Sequence, residues 1–111
     1  MSINKPYRIY VHHSTGPDTQ TVAQIRDYHV RVRHYKDIGY HALVHRLPDD
    51  SVIVSPGRPE TTIGAHTMGY NANSLGICCA GNYSLVEMPD DIYQALLTQL
   101  RLWMKQYKIP V

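Results

Sequence analysis

A chain of 111 residues has room for one hydrophobic core, so residues 1–111 read as a single domain. With 43% hydrophobic residues, 18% charged residues and a formal net charge of +2, the composition is that of a globular domain and falls short of a nucleic-acid-binding profile, which carries a basic stripe. No apolar run approaches the length of a membrane-spanning helix, and the opening MSINKPYRIY lacks the apolar segment and small-residue cleavage site of a secretion signal, so cytoplasmic synthesis without membrane insertion is expected.

Tyr7 to His12 alternate, with Ile9 and Val11 on one face and Arg8, Tyr10 and His12 on the other, which predicts a strand. The turn-rich STGPDTQ follows. Thr21 and Gln24 then have capping-box spacing, and Val22, Ile25, His29 and Val32 recur at helical spacing, predicting a helix over 22–33. After Gly39, a second strand is expected from Tyr40 to Arg46, with His41, Leu43 and His45 facing one way and Tyr40, Ala42 and Val44 the other. Pro48 to Asp50 form a turn, and Ser51 to Ser55 the return strand of a hairpin.

The stretch from Pro56 to Ser74, rich in glycine and asparagine, reads as a long loop of the kind that carries function. Leu75 to Ala80 is a continuous apolar run, as expected of a strand buried on both faces. Its neighbouring Cys78 and Cys79 would point to opposite faces, which argues against a disulfide framework and against a shared metal. The closing segment, Asp90 to Lys108, repeats Ile92, Leu96, Leu100, Trp103 and Tyr107 along one helical face, with acids at its start and bases near its end to match the helix dipole. Strands interleaved with two helices give an α/β fold, a central mixed sheet flanked by helices.

Seven histidines suggest metal chemistry, yet most do not sit at a standard ligand spacing such as H-x-x-x-H on a helix, and the pair four apart, His41 and His45, falls on a predicted strand. His29 continues the apolar face of the first helix and reads as a hydrogen-bonded core histidine. His45, beside Arg46, reads equally well as a surface residue. His12 lies where a strand meets a loop; on the residues alone, a satisfied strand end and a metal ligand are level readings. Nine tyrosines and no phenylalanine suit a wet surface that stacks on sugar or peptide.

Taken in order, VHHS, IGYHALVHR, GRP, GAHTMGYNANSLGICCAGNY and the closing helix resemble the N-acetylmuramoyl-L-alanine amidases of the phage T7 lysozyme type, which share their fold with the peptidoglycan recognition proteins. The resemblance implies a zinc enzyme that hydrolyses the amide between N-acetylmuramic acid and the L-alanine of the stem peptide in peptidoglycan. It assigns His12 as a zinc ligand, Tyr40 as the catalytic tyrosine, and His66, Thr67 and Asn71 as substrate contacts, leaving His13 without a metal role. In the family, a strand and loop after the last helix supply the second zinc histidine and a cysteine or aspartate ligand. This sequence reaches YKIPV where that segment would begin, so a domain truncated at its C-terminus, with an incomplete zinc site, is expected.

Two alternatives to a truncated amidase stand beside it. One is a non-catalytic module that binds peptidoglycan or muropeptide; the other is a noncanonical metal site completed by His13, His41 or His66. The expected partners are the stem peptide and muramic acid, with no nucleic acid. A sheet edge left open beside the first strand would favour self-association. Like a phage endolysin, the protein would act on the cell wall after release from the cell.

Overall fold

The computed structural model describes residues 3–110. Its elements are β1 (Arg8–His13), α1 (Val22–Arg31), β2 (Ala42–Arg46), β3 (Val52–Pro56), β4 (Ser74–Cys79) and α2 (Asp90–Gln106). The sheet order is β1-β4-β2-β3, with β4 parallel to both β1 and β2, and β2 paired antiparallel with β3 as the predicted hairpin. The mixed sheet flanked by helices is therefore as expected.

β4 is the centre of the molecule, and all six of its residues are buried. A strand with neighbours on both edges and helices on both faces has no polar side to show, which is why its sequence is apolar without alternation. Cys79, Leu75 and Ile77 face α2, where they pack with Ile92, Leu96 and Trp103. Cys78 and Ala80 face the other way, against Leu43, Ile38 and Ile25 of α1. The two thiols thus lie on opposite faces, both free and buried.

α1 begins with the predicted capping box: the Gln24 N–H donates to the Thr21 hydroxyl at 3.2 Å, and the Thr21 N–H to the Gln24 side chain at 3.0 Å. It ends at Arg31, two residues before the predicted limit. The N–H groups of Val32 and Arg33 both fold back on the Tyr28 carbonyl, and His34 adopts φ 61°, so the chain turns away. Val32 continues the helical spacing but is half exposed.

The loop between β3 and β4 is held at several points. The Trp103 indole N–H donates to Glu60 at 3.0 Å, and the Tyr107 hydroxyl donates to the other oxygen of the same carboxylate. Asn4 donates to the carbonyls of Glu60 and Ser74, at 2.9 and 2.8 Å. The Arg58 guanidinium donates to the backbone carbonyls of Asp37, Ile38 and Ile63. Engaging three of the five donors of one arginine with carbonyls from two segments ties the loop to the connection between α1 and β2. The far end of this loop therefore has a fixed position over the sheet.

Candidate functional site

The site forms where the far end of that loop lies over β1 and β4. Gly76 of β4 pairs with Tyr10 of β1. A Cβ at Gly76 would stand 2.3 Å from the His66 ring, so glycine is what lets the imidazole lie flat on the sheet. The Asn71 side-chain oxygen accepts the N–H groups of His66 at 2.8 Å and Thr67 at 2.7 Å, closing the loop on itself. Asn71, expected as a substrate contact, is thus committed through its oxygen to shaping the loop, while still lining the cavity beside it.

Three of the five residues singled out from the sequence, His12, His66 and Thr67, meet at one hydroxyl, and a fourth, Tyr40, stands beside His12. Thr67 Oγ1 lies 3.0 Å from His12 Nε2 and 2.9 Å from His66 Nδ1. The His12 ring is 5.6 Å from both the His66 and the Tyr40 rings, centroid to centroid. His41 lies on the far side of His66, 5.5 Å from it. His13 does not join this group: its Nδ1 accepts the Tyr83 N–H at 3.0 Å, and its ring stacks on Tyr83.

Tyr40 opens onto a cavity of about 330 Å³ whose walls include His29, Arg33, Tyr35, His66 and Thr67. A second hollow of about 310 Å³ shares His29, Arg33 and Tyr40 and runs on to Ser14 and Gln20. Among the described residues, no aspartate or glutamate lines either one. The cleft therefore offers cationic and neutral donors without a competing carboxylate, a surface suited to a ligand that bears acids.

Sequence reasoning did not place His29, Arg33 or Tyr35 in this cleft. His29 is a hydrogen-bonded core histidine as expected, its Nδ1 accepting the Gly39 N–H at 2.8 Å, yet its ring also stands 5.5 Å from Tyr40. The helical spacing did not give this away, because α1 ends at Arg31 and the turn that follows, with His34 at φ 61°, is what places Arg33 beside His29 in the cleft.

Burial governs the protonation of the cluster. It lowers the pKa of His12, with His13 adding to the effect, and lowers those of His29 and His41. His66 is pushed down to about 4 by burial and then by its neighbours His41 and His12. Tyr40 is raised, first by burial and then by the Cys78 thiol behind it. At neutral pH the imidazoles are uncharged and Tyr40 is a phenol. His41 has its tautomer fixed: Nδ1 accepts the Gly76 N–H at 3.0 Å, so Nε2–H donates to the Thr62 carbonyl at 2.8 Å.

Among the described residues, no three His, Cys, Asp or Glu side chains come together as a metal site. Of the histidines expected to complete a noncanonical site beside His12, His13 turns to Tyr83 and His41 has both nitrogens engaged, while His66 adjoins His12 without a third ligand joining the pair. The donors present do not by themselves fit a zinc ion, which needs at least three protein ligands.

A family model described as N-acetylmuramoyl-L-alanine amidase matches residues 3–111. The endolysin of Escherichia phage T7 is 37% identical over 75 residues, 66% of this chain and 46% of its own length. That of Klebsiella phage KP32 is 30% identical over 105 residues, covering 92% of this chain and 66% of its own. The chain thus spans about half to two thirds of these curated relatives. Among solved structures, the Ph2119 endolysin of a Thermus scotoductus bacteriophage superposes with a TM-score of 0.83 at 31% identity, over 97% of this chain and 70% of that one. A complex of tracheal cytotoxin with the ectodomains of peptidoglycan recognition proteins LCa and LCx gives 0.84 at 22% identity, covering 100% and 70%, which shows the same fold. The ordered motifs, the sheet that carries them and the matched family model agree: this chain belongs to the N-acetylmuramoyl-L-alanine amidase family.

Proposed function

We propose that this chain contributes the amidase active site that hydrolyses the bond between N-acetylmuramic acid and the L-alanine of the peptidoglycan stem peptide, with zinc as the metal. The observation that supports this reading best is the convergence of His12, Tyr40, His66 and Thr67 at the mouth of an acid-free cleft in a chain of the amidase family. His12 is the residue we assign to the metal. The described residues supply no complete ligand set, so the roles that can be assigned belong to the chain's own groups.

Tyr40 stays protonated at working pH, so it serves as a hydrogen-bond donor and not as a base. Placed beside His12, its hydroxyl would donate to the amide oxygen as that oxygen takes on negative charge, an interaction that strengthens in the transition state. Thr67 and Asn71 hold the loop over the cleft, and Arg33 and His29 offer donors to the carbonyls and carboxylates of the stem peptide.

Purified cell walls incubated with the protein and added zinc should release new L-alanine amino termini, and a chelator should stop the release. A second reading, muropeptide binding without cleavage, draws on the fact that His12 is the one metal ligand assigned. It expects co-sedimentation with insoluble peptidoglycan and no released termini. Absence of both release and co-sedimentation would rule out both readings.

A further inference from the structure

Three of the nine tyrosines stand together outside the cleft and take no part in the core clusters. Tyr7 and Tyr70 are 54% and 56% exposed, while Tyr10 is half-buried between them and the site. Arg8 organises the group: its guanidinium carbon lies 4.5 Å from the Tyr7 ring centre and 5.8 Å from that of Tyr70. It also donates to the Tyr10 hydroxyl at 3.0 Å and to the Tyr7 hydroxyl. Arg8 forms no ion pair with a carboxylate among the described residues. The Tyr10 ring is 6.2 Å from Tyr70 and 6.1 Å from His66, which itself adjoins His12. On β1, Tyr10 and His12 share a face, roughly 7 Å apart by strand geometry. The patch is therefore continuous with the reacting end of the cleft and lies across it from the hollows near Arg33.

We propose that Tyr7, Arg8, Tyr10 and Tyr70 form a sugar-binding platform for the glycan side of the substrate, so that the glycan runs toward β1 while the peptide enters the cleft at α1. The platform rests on the amidase reading of the site. A pyranose ring presents an apolar face of C–H groups rimmed by hydroxyls, and the patch matches both features. Exposed tyrosine rings offer flat apolar faces, and their hydroxyls and the guanidinium offer hydrogen bonds. The contacts from Arg8 hold the rings in place before a ligand arrives, which reduces the entropy lost on binding. The opposite wall, with its histidines, Arg33 and side-chain amides, offers polar groups suited to a peptide instead.

The test is calorimetric titration of the protein, and of its Tyr70→Ala and Tyr70→Phe variants, with a soluble disaccharide tetrapeptide and with the same tetrapeptide lacking sugar. Tyr70 joins the loop through backbone hydrogen bonds, so its side chain can be removed with the fold intact, as a melting curve will verify. Tyr70→Ala should weaken the sugar-bearing ligand by roughly fivefold to tenfold, the scale of one aromatic stacking contact, and leave the free peptide unchanged. Tyr70→Phe should bind the sugar-bearing ligand nearly as well as the parent. Equal weakening of both ligands, or of neither, would overturn the platform and leave the amidase reading standing. If the parent protein bound neither ligand, both would fall.

Discussion

A threonine hydroxyl carries one proton, so Thr67, within hydrogen-bond reach of His12 Nε2 and His66 Nδ1, can donate to one ring and must accept from the other. One imidazole therefore presents N–H and the other a lone pair, and the hydroxyl sets which. Thr67→Val keeps the shape and removes this link. Release of amino termini should fall on the order of 10²-fold, as for a reacting group left about 1 Å out of place, with about 1 kcal/mol lost from stability. Tyr40→Phe should leave the melting temperature close to the parent value and lower release by roughly 10²- to 10³-fold, the range for one oxyanion donor. An unchanged rate in either variant would remove that residue from the mechanism. The histidines also predict acid sensitivity. His29 and His41 each accept a backbone N–H at Nδ1, and their folded pKa values lie below the ordinary 6.5. The unfolded chain thus binds more protons than the folded one once the pH drops below about 6.5, so stability is complete above that value and declines as the pH falls. Thermal melts between pH 7.5 and 4.5 should show a falling midpoint; a flat profile would contradict it. At this scale the motif residues were legible in the sequence because they recur in a fixed order. His45 was not: it is buried and bonded to Ser55 across the hairpin at 2.7 Å, a pairing set by register and not by its neighbours in the chain.

At the level of elements, periodicity carried the types and order of all six, because each buries one face or both against a neighbour. It did not carry the end of α1, where the apolar Val32 continues the pattern while the backbone has already turned. Nor did it show how the β3–β4 loop is held, since the indole of Trp103, the carboxylate of Glu60 and the amide of Asn4 meet across long sequence separations. The importance of β4 as a floor for the site can be tested at Gly76. Gly76→Ala would drive its methyl into the His66 ring, forcing the loop off the sheet, at a cost of about 1 to 3 kcal/mol and with loss of release activity. Leu96→Ala should cost about 2 to 5 kcal/mol by opening a cavity on the α2 side of the sheet, away from the cleft, and leave activity unchanged at temperatures where the protein is folded. The pair separates damage at the site from damage to the scaffold.

For the molecule as a whole, the sheet order leaves β1 at one edge and β3 at the other. β3 has α2 packed across it, while β1 carries Val11 half exposed and lies beside a hollow of about 380 Å³ lined by Tyr7, Ile9, Leu100, Met104 and Ile109. An edge strand with free backbone donors and an adjoining apolar groove is a template for pairing with another chain, and β1 has neither a proline nor a lysine to discourage it. A second copy aligned along β1 would pair these backbone groups and cover Val11. Self-association of this 111-residue chain is therefore expected to appear as a sedimentation coefficient that rises with concentration and a melting midpoint that rises with it. Val11→Lys places a charge on the open edge, where it must be desolvated in any pairing, and should return the protein to a monomer without moving the His12 side chain to the other face. A parent protein that stays monomeric over the whole concentration range, with a cooperative and concentration-independent melt, would show that the edge is closed to partners by its own twist or by the solvation of its histidines.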